Sequence, residues 1–285
     1  MPTISSFWVS ARMRRAPSGA RIDLVIGTSG KDDKMSGSPA PEDFGLLTPA
    51  EVDELPPNSD ADALKSMLRW VKDFVAQPHP ERDPENPNDR AAVCPFMPGS
   101  LAKGLTWFTL PNEPVRSPED VMRIVDAYRD VLKELPPTRG RDARFKTIII
   151  VFPMVDASAA PAFIDDVHER VAGEYRSDAL MLGEFHSRNQ KHGSHNPNFF
   201  GLQSPVPAMA LRLMVALDYL FLTKRTGDPL KDLENLLAYT KAMARMDPPP
   251  SKKIQEMIDF FWDDLKLILK RAMEVPPDAQ EGPPE

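Results

Sequence analysis

The sequence predicts an α+β protein, with a mixed four-stranded or slightly larger sheet, helices packed on one side of it, and further helices towards both termini. Helix-like and strand-like patterns alternate between residues 106 and 215. The segment Thr147–Phe152 is β-branched or apolar throughout, which is typical of a central strand. The order strand, helix, strand, helix, strand, strand matches a ferredoxin-like or split βαβ arrangement.

The N-terminal helices are predicted from a cap and from apolar periodicity. Thr48-Pro49-Ala50-Glu51 fits a capping box with proline at the first helical position. The next helix places apolar side chains on one face at helical spacing. They are Leu64, Met67, Leu68, Val71 and Phe74. Residues 48–76 are therefore expected to be helical, and the proline- and charge-rich residues 77–92 to form an irregular linker.

The main domain is expected to span residues 93–275 and to end in a pair of amphipathic helices. Strands are expected at residues 106–110, 147–152, 180–186 and 209–215, and helices from Ser117, Ala160, Asp228 and Ser251. Residues 1–47 are predicted to be a disordered N-terminal extension, and residues 276–285, rich in proline and glutamate, a disordered tail.

Composition excludes several classes of function. The formal net charge of −7 and the short basic runs argue against nucleic acid as a partner. The single cysteine, Cys94, excludes an intramolecular disulfide and a zinc site made of several cysteines. No apolar run approaches the ~20 residues that a membrane-spanning helix needs. We therefore expect a cytoplasmic protein with a small-molecule substrate, no membrane partner, and association as a homodimer.

The first candidate site is Cys94-Pro95-Phe96, where the polar linker meets the main domain. Proline after the cysteine favours an extended backbone and an accessible sulfur. A thiolate in such a setting is a recurrent axial ligand of heme iron, because ferric iron accepts a soft anionic donor. The alternative is that Cys94 is a small buried hydrophobic residue, as free cysteines commonly are.

The second candidate site combines a strand end with the His- and Asn-rich segment that follows it. Glu184 and His186 are two residues apart, and His192 and His195 are three apart. These side chains could bind a divalent metal or act as general acids and bases. The alternative is a solvated loop, although His186 ends a predicted strand, where functional side chains are frequent.

Arg212 is a third candidate because it lies among apolar residues in a predicted strand. It either reaches solvent or, if buried, pairs with a carboxylate such as Asp218, a substrate carboxylate or a heme propionate. Two other histidines are not expected to be functional. His168 is predicted at the boundary of a helix stripe, and His79 lies in the proline-rich linker.

Four ordered motifs resemble a bacterial domain-of-unknown-function family that is frequent in actinobacteria. They are Cys94-Pro95-Phe96, Met181-Leu182-Gly183-Glu184-Phe185-His186, Asn196-Pro197-Asn198-Phe199 and Ser204-Pro205-Val206-Pro207. The resemblance covers about residues 93–222, and members of this family often look like accessory proteins of natural-product gene clusters. More distantly, the cysteine motif and the strand order are similar to YqcI/YcgG-type proteins, some of which are heme-dependent N-oxygenases.

The second resemblance implies a heme-dependent oxygenase or related redox enzyme of natural-product type, acting on a small amino-acid-like substrate. Cys94 would be the axial thiolate, with Pro95, Phe96 and His195 beside the cofactor. The catalytic residues would be His186 as distal proton donor, Arg212 and Glu184. The alternatives are a metal-dependent enzyme that uses the His186–His195 segment, and a non-catalytic binding protein whose C-terminal helix presents Phe261 and Trp262 to a partner.

Overall fold

The structure is a computed structural model of the full chain, described here at residues 10–12, 25–27, 45–80, 91–193, 196–222 and 226–246 and at six isolated positions between 252 and 270. The chain forms two compact units. The first contains residues 1–168 and 183–212, and the second contains residues 169–182 and 213–285. Every candidate residue of the cysteine, histidine and arginine motifs belongs to the first unit.

The strands form a short hairpin-like pair and a four-stranded mixed sheet. Strand β1 (Ser10–Arg12) pairs antiparallel with β2 (Val25–Gly27), inside the segment expected to be disordered. The order in the larger sheet is β3-β4-β6-β5, with β3 and β4 parallel and β4 and β6 antiparallel. Its strands are β3 (Thr106–Thr109), β4 (Thr147–Val151), β5 (Leu180–Phe185) and β6 (Ala208–Leu213).

The helices follow the predicted caps. Thr48 and Ser117 each form a capping box, with Glu51 and Asp120 respectively, and both helices have proline in the first turn. The α-helices are α1 (Pro49–Glu54), α2 (Ser59–Trp70), α3 (Met97–Ala102), α4 (Pro118–Glu134), α5 (Asp166–Ser177), α6 (Tyr219–Leu222) and α7 (Pro229–Ala244). One π-helical turn, Val71–Val75, extends α2, and another, Pro161–Asp165, leads into α5.

Helices of the first unit cover both faces of the sheet. Phe108 of β3 and Ile149 of β4 are paired in register, and both belong to the apolar core that includes residues of α2. The neighbouring Thr109 points to the opposite face, because successive side chains of a strand alternate, and its hydroxyl lies 2.9 Å from the Tyr128 hydroxyl of α4. These two sides of the sheet are called the α2 face and the α4 face.

The predicted α+β class and mixed four-stranded sheet are confirmed, whereas the finer topology differs from the prediction. In a split βαβ unit another strand separates the two parallel strands, but here β3 and β4 are direct neighbours. The antiparallel β6 instead enters between β4 and β5. The apolar stripe of the predicted helix from Ser251 lies outside the described residues. Within the described part of the chain, no helix has the length and apolarity needed to cross a membrane.

Candidate functional site

Four titratable side chains meet on the α4 face, two from a helix and two from a strand. Asp165 ends the π-helical turn, and His168 lies in the first turn of α5. Glu184 lies on β5, and His186 follows its last residue. In each pair, a carboxylate from one element contacts an imidazole from the other. Asp165 pairs with His186, and Glu184 pairs with His168. These four residues are called the carboxylate–histidine cluster.

The first pair joins Asp165 and His186. The imidazole of His186 is fully buried, and its Nε2 lies 2.9 and 3.0 Å from the two carboxylate oxygens of Asp165. Its Nδ1 lies 3.2 Å from the backbone nitrogen of Arg188, which can only donate. The proton of a neutral ring is therefore on Nε2, directed at Asp165. Both ring nitrogens are engaged, so the geometry makes His186 a structural anchor.

The second pair joins Glu184 and His168, and a third residue binds the same carboxylate. Glu184 Oε2 lies 2.5 Å from His168 Nδ1, and Oε1 lies 2.5 Å from Lys191 Nζ. The Glu184–His168 contact does not have the angles of a hydrogen bond, so we describe it as an electrostatic pair. The carboxylate is only 4% exposed, whereas the side chains of His168 and Lys191 are 18% and 53% exposed.

These contacts determine the ionisation of Glu184. Burial by itself raises the pKa of a carboxyl group, because the charged form loses its hydration. The contacts with His168 and Lys191 act in the opposite direction and outweigh burial, so the pKa of Glu184 is lowered. Glu184 is therefore a buried but ionised carboxylate that lies against the imidazole of His168.

The loop after β5 connects the two pairs through Asn189, which is completely buried. Its amide nitrogen lies 3.4 Å from Asp165 Oδ1, and its amide oxygen accepts the backbone N–H of Lys191 at 2.9 Å. The side chain of Gln203 donates to the Asn189 carbonyl at 3.0 Å. The side-chain amide of Asn189 thus contacts the Asp165–His186 pair and also binds the backbone of Lys191, whose side chain reaches Glu184.

The cysteine motif lies on the α2 face. Cys94 is half-buried and packs against the apolar core of that face, and its backbone N–H donates to Val75 at the end of the first π-helical turn, at 2.9 Å. Pro95 is exposed, whereas Phe96 is buried. The guanidinium carbon of Arg212 lies 5.1 Å from the centroid of the Phe96 ring, within the range of a cation–π contact.

The sheet separates the predicted heme ligand from its predicted distal residue. Phe185 packs on the α2 face with Cys94, and its neighbour Glu184 points to the other face. His186 is bound there to Asp165. The sheet therefore lies between Cys94 and His186, and their predicted pairing at one heme stays a prediction. The three predicted catalytic residues are divided in the same way, because Arg212 lies with Phe96 and not with Glu184 and His186.

The predicted metal ligands are not brought together in the part of the chain that the structure describes. His192 is exposed, and its Nδ1 lies 2.9 Å from the carbonyl oxygen of Gly193. His195 lies outside the described residues. Among the described histidine, cysteine, aspartate and glutamate side chains, no group of three or more could hold a metal ion.

Sequence reasoning missed several members of the site. The sequence predicts His168 only at the boundary of a helix stripe, and it gives no role to Asp165, Asn189 or Lys191. One available signal was the spacing of Asp165 and His168, three residues apart on one helix face, beside Glu184 and His186, two apart on one strand face. His79 also has a defined place, because its ring centroid lies 4.2 Å from that of Phe199 in the Asn-Pro-Asn-Phe turn.

The family model described as Domain of unknown function (DUF6875) matches residues 64–253 of the chain. No curated protein and no solved structure matches the chain. The matched residues include the whole carboxylate–histidine cluster, Asn189, Lys191 and the cysteine motif. The comparison therefore agrees with the expected relationship to a domain of unknown function, and the more distant similarity to YqcI/YcgG-type proteins stays a prediction.

Proposed function

Because the chain belongs to the DUF6875 family of domains of unknown function, we propose its activity from the chemistry of the site: it is an enzyme that transfers a proton to or from a small, amino-acid-like substrate at the carboxylate–histidine cluster. The observation that carries this proposal is the ionised Glu184, buried between His168 and Lys191. A buried carboxylate that orients an imidazole is a recurrent arrangement for general acid–base catalysis.

His168 is the group that exchanges the proton. Its Nδ1 faces Glu184, so the opposite ring nitrogen, Nε2, takes a proton from a substrate carbon or heteroatom and later returns it. Glu184 orients the ring and stabilises the imidazolium that forms during transfer. His186, whose two nitrogens are engaged, anchors Asp165 and takes no part in the transfer.

Hydrogen exchange at carbon tests this proposal without knowledge of the complete reaction. The protein is incubated in D₂O with a panel of amino acids and 2-oxo acids. Loss of the signal of the proton beside the carbonyl group, at C2 of an amino acid or C3 of a 2-oxo acid, is followed by ¹H NMR, and this proton is called the α-proton. The wild type is expected to exchange the α-proton of at least one member of the panel. His168→Gln is expected to lower that rate about 100-fold or more, the usual contribution of a general acid or base.

The matched control is His192→Gln, which removes an exposed histidine from the loop that follows β5. It is expected to retain the wild-type rate, because His192 contacts only the carbonyl oxygen of Gly193 among its described hydrogen bonds. Absence of exchange across the panel, or equal rates in wild type and His168→Gln with both proteins folded, would contradict the proposal.

A second candidate function is a heme-dependent redox enzyme at the α2 face. Cys94 is half-buried in an apolar cluster that includes Trp70, Phe74 and Phe185, surroundings that suit the apolar faces of a porphyrin. Cys94 would hold the iron, and Arg212 would pair with a propionate. A thiolate ligand supplies electron density that favours activation of bound oxygen. His186 has no part in this version, because it lies on the other face.

An absorption spectrum tests the second candidate. Tag-free protein is titrated with hemin and then reduced with dithionite under carbon monoxide. A saturable Soret band that is lost or altered in Cys94→Ser supports heme binding at this residue. A featureless titration, or a band that is identical in Cys94→Ser, would reject it.

A further inference from the structure

The loop that follows β5 brings a lysine to a carboxylate that the histidine already contacts. Lys191 lies 2.5 Å from Glu184 Oε1, while His168 lies near the other oxygen. A lysine side chain has four rotatable carbon–carbon bonds and is commonly mobile at an exposed position. Here the side chain is 53% exposed, so packing around it does not fix the ammonium group. The contact with Glu184 and the course of the loop backbone therefore determine where the ammonium group lies.

Asn189 is the residue that fixes this backbone. Its buried side chain spans from Asp165 Oδ1, at 3.4 Å, to the backbone N–H of Lys191, at 2.9 Å. An asparagine that accepts the backbone N–H of the second following residue forms a local turn. On the other side, Gln203 binds the Asn189 carbonyl at 3.0 Å. The side-chain amide of Asn189 thus links the backbone at Lys191 to Asp165 of the carboxylate–histidine cluster.

We propose that Asn189 is a positioning residue of the acid–base centre: it holds Lys191 on Glu184, the carboxylate that faces His168. This inference rests on the proposed function and identifies how its carboxylate is maintained. The charged and titratable groups that face Glu184 are His168 from α5 and Lys191 from the loop. Asp165 and His186 form the adjacent pair, and the uncharged Asn189 links the two pairs.

The test measures the ionisation of Glu184 and does not depend on activity. Side-chain carboxyl carbons of ¹³C-labelled full-length protein are titrated by NMR, and the Glu184 resonance is assigned with Glu184→Gln. Lys191→Met is expected to raise the pKa of Glu184, because it removes one of the two contacts that lower it. Asn189→Ala is expected to raise it in the same direction, although Lys191 is still present. Lys191→Arg, which keeps the charge, is expected to leave it low.

An internal reference separates positioning from loss of the fold. The C–H signals of His79, which stacks on Phe199, report the folded protein from the α2 face. If Asn189→Ala disturbs these signals, Gln203→Ala serves as the second variant, since it removes only the outer support of Asn189. A smaller rise in the pKa of Glu184 is expected for that variant.

Two results would overturn the inference. The first is an unchanged pKa of Glu184 in Asn189→Ala with intact His79 signals, while Lys191→Met raises it. The second is an unchanged pKa in Lys191→Met. Neither result bears on the proposed role of His168, which the hydrogen-exchange experiment tests by itself. Failure of that role would appear as an absence of α-proton loss.

Discussion

Glu184 and His168 meet on the α4 face of the sheet, with 2.5 Å between Oε2 and Nδ1. The carboxylate is almost completely buried, and the imidazole is partly open to solvent. A buried acid with a more accessible histidine is an arrangement in which the acid orients the ring and the ring meets the substrate. The relationship assigns different roles to the two histidines of the cluster, because His186 is completely buried and bound at both nitrogens.

The lowered pKa of Glu184 predicts a specific dependence of stability on pH. The native state releases this proton more readily than the unfolded chain, so ionised Glu184 stabilises the fold above its ordinary pKa of 4.5. This contribution is lost as the pH falls through the lowered value. Glu184→Gln is expected to cost about 2 kcal/mol at pH 7 through the loss of charged contacts.

Urea denaturation of wild type and Glu184→Gln between pH 3 and 7 measures this contribution. The difference in free energy of unfolding is expected to shrink below pH 4.5, the ordinary pKa of glutamate. Glu169→Gln is a control for the removal of a surface carboxylate. A difference that stays constant over the whole range would show that the ionisation of Glu184 does not contribute to stability.

The buried side chain of Lys146 is expected to make the stability of the fold increase with pH in the alkaline range. It is 1% exposed, and its Nζ donates to the carbonyl oxygens of Leu132 and Leu135, at 2.7 and 2.6 Å, at the end of α4. Burial lowers the pKa of Lys146 from 10.5 to about 8. Between these values the unfolded chain binds more protons than the native state, so raising the pH favours the native state.

The comparison of wild type with Lys146→Met isolates this effect. The stability of wild type relative to the variant is expected to rise from about pH 8 to 10.5, by at most about 1.4 kcal/mol per pH unit. A neutral amine still has two N–H groups, so both hydrogen bonds survive deprotonation. A constant or falling difference over this interval would contradict the assignment.

The contacts of Phe199 predict that its ring holds the loop after β5 in place. Its ring contacts His79 and Phe74, with centroid distances of 4.2 and 6.1 Å, and a Cβ added at Gly201 would lie 2.9 Å from it. Phe199→Ala is expected to cost about 2 kcal/mol, less than a fully buried phenylalanine because the ring is half-buried.

Hydrogen exchange of backbone amides reports the same change locally. The N–H of Gly193 donates to the carbonyl of Phe199 at 2.7 Å and is expected to lose protection in Phe199→Ala. Asn198→Ala, at an exposed position of the same turn, is the control. Unchanged protection of Gly193 in Phe199→Ala would show that the ring does not fasten the loop.

Local signals in the sequence predicted most of the elements but not the site. The capping boxes at Thr48 and Ser117 depend on residues three positions apart, and the apolar Thr147–Phe152 segment depends on strand composition, so both were available from the sequence. The pairing of Glu184 with His168 depends on which helix crosses which strand. That information lies in the order of the strands, in which β3 and β4 are direct neighbours and β6 lies between β4 and β5.

The lack of topological information in local sequence also affects the predicted heme site, in which Cys94 and His186 act together. Cys94 and His186 lie in motifs that are both recognisable in the sequence, and nothing local shows that a sheet separates them. The alternation of Phe185 and Glu184 on β5 places these neighbours on opposite faces, but the face of Cys94 depends on its packing against the core that includes α2.

A double-mutant cycle between His168 and Glu184 tests the central claim most directly. The free energies of unfolding of wild type, His168→Gln, Glu184→Gln and the double variant are compared at pH 6, and again at pH 3. The account predicts a favourable coupling of about 1 kcal/mol or more at pH 6, and a smaller coupling at pH 3, towards the lowered pKa of Glu184. No coupling at pH 6, or an equal coupling at both pH values, would contradict a shared ionic contact and the role of His168 built on it.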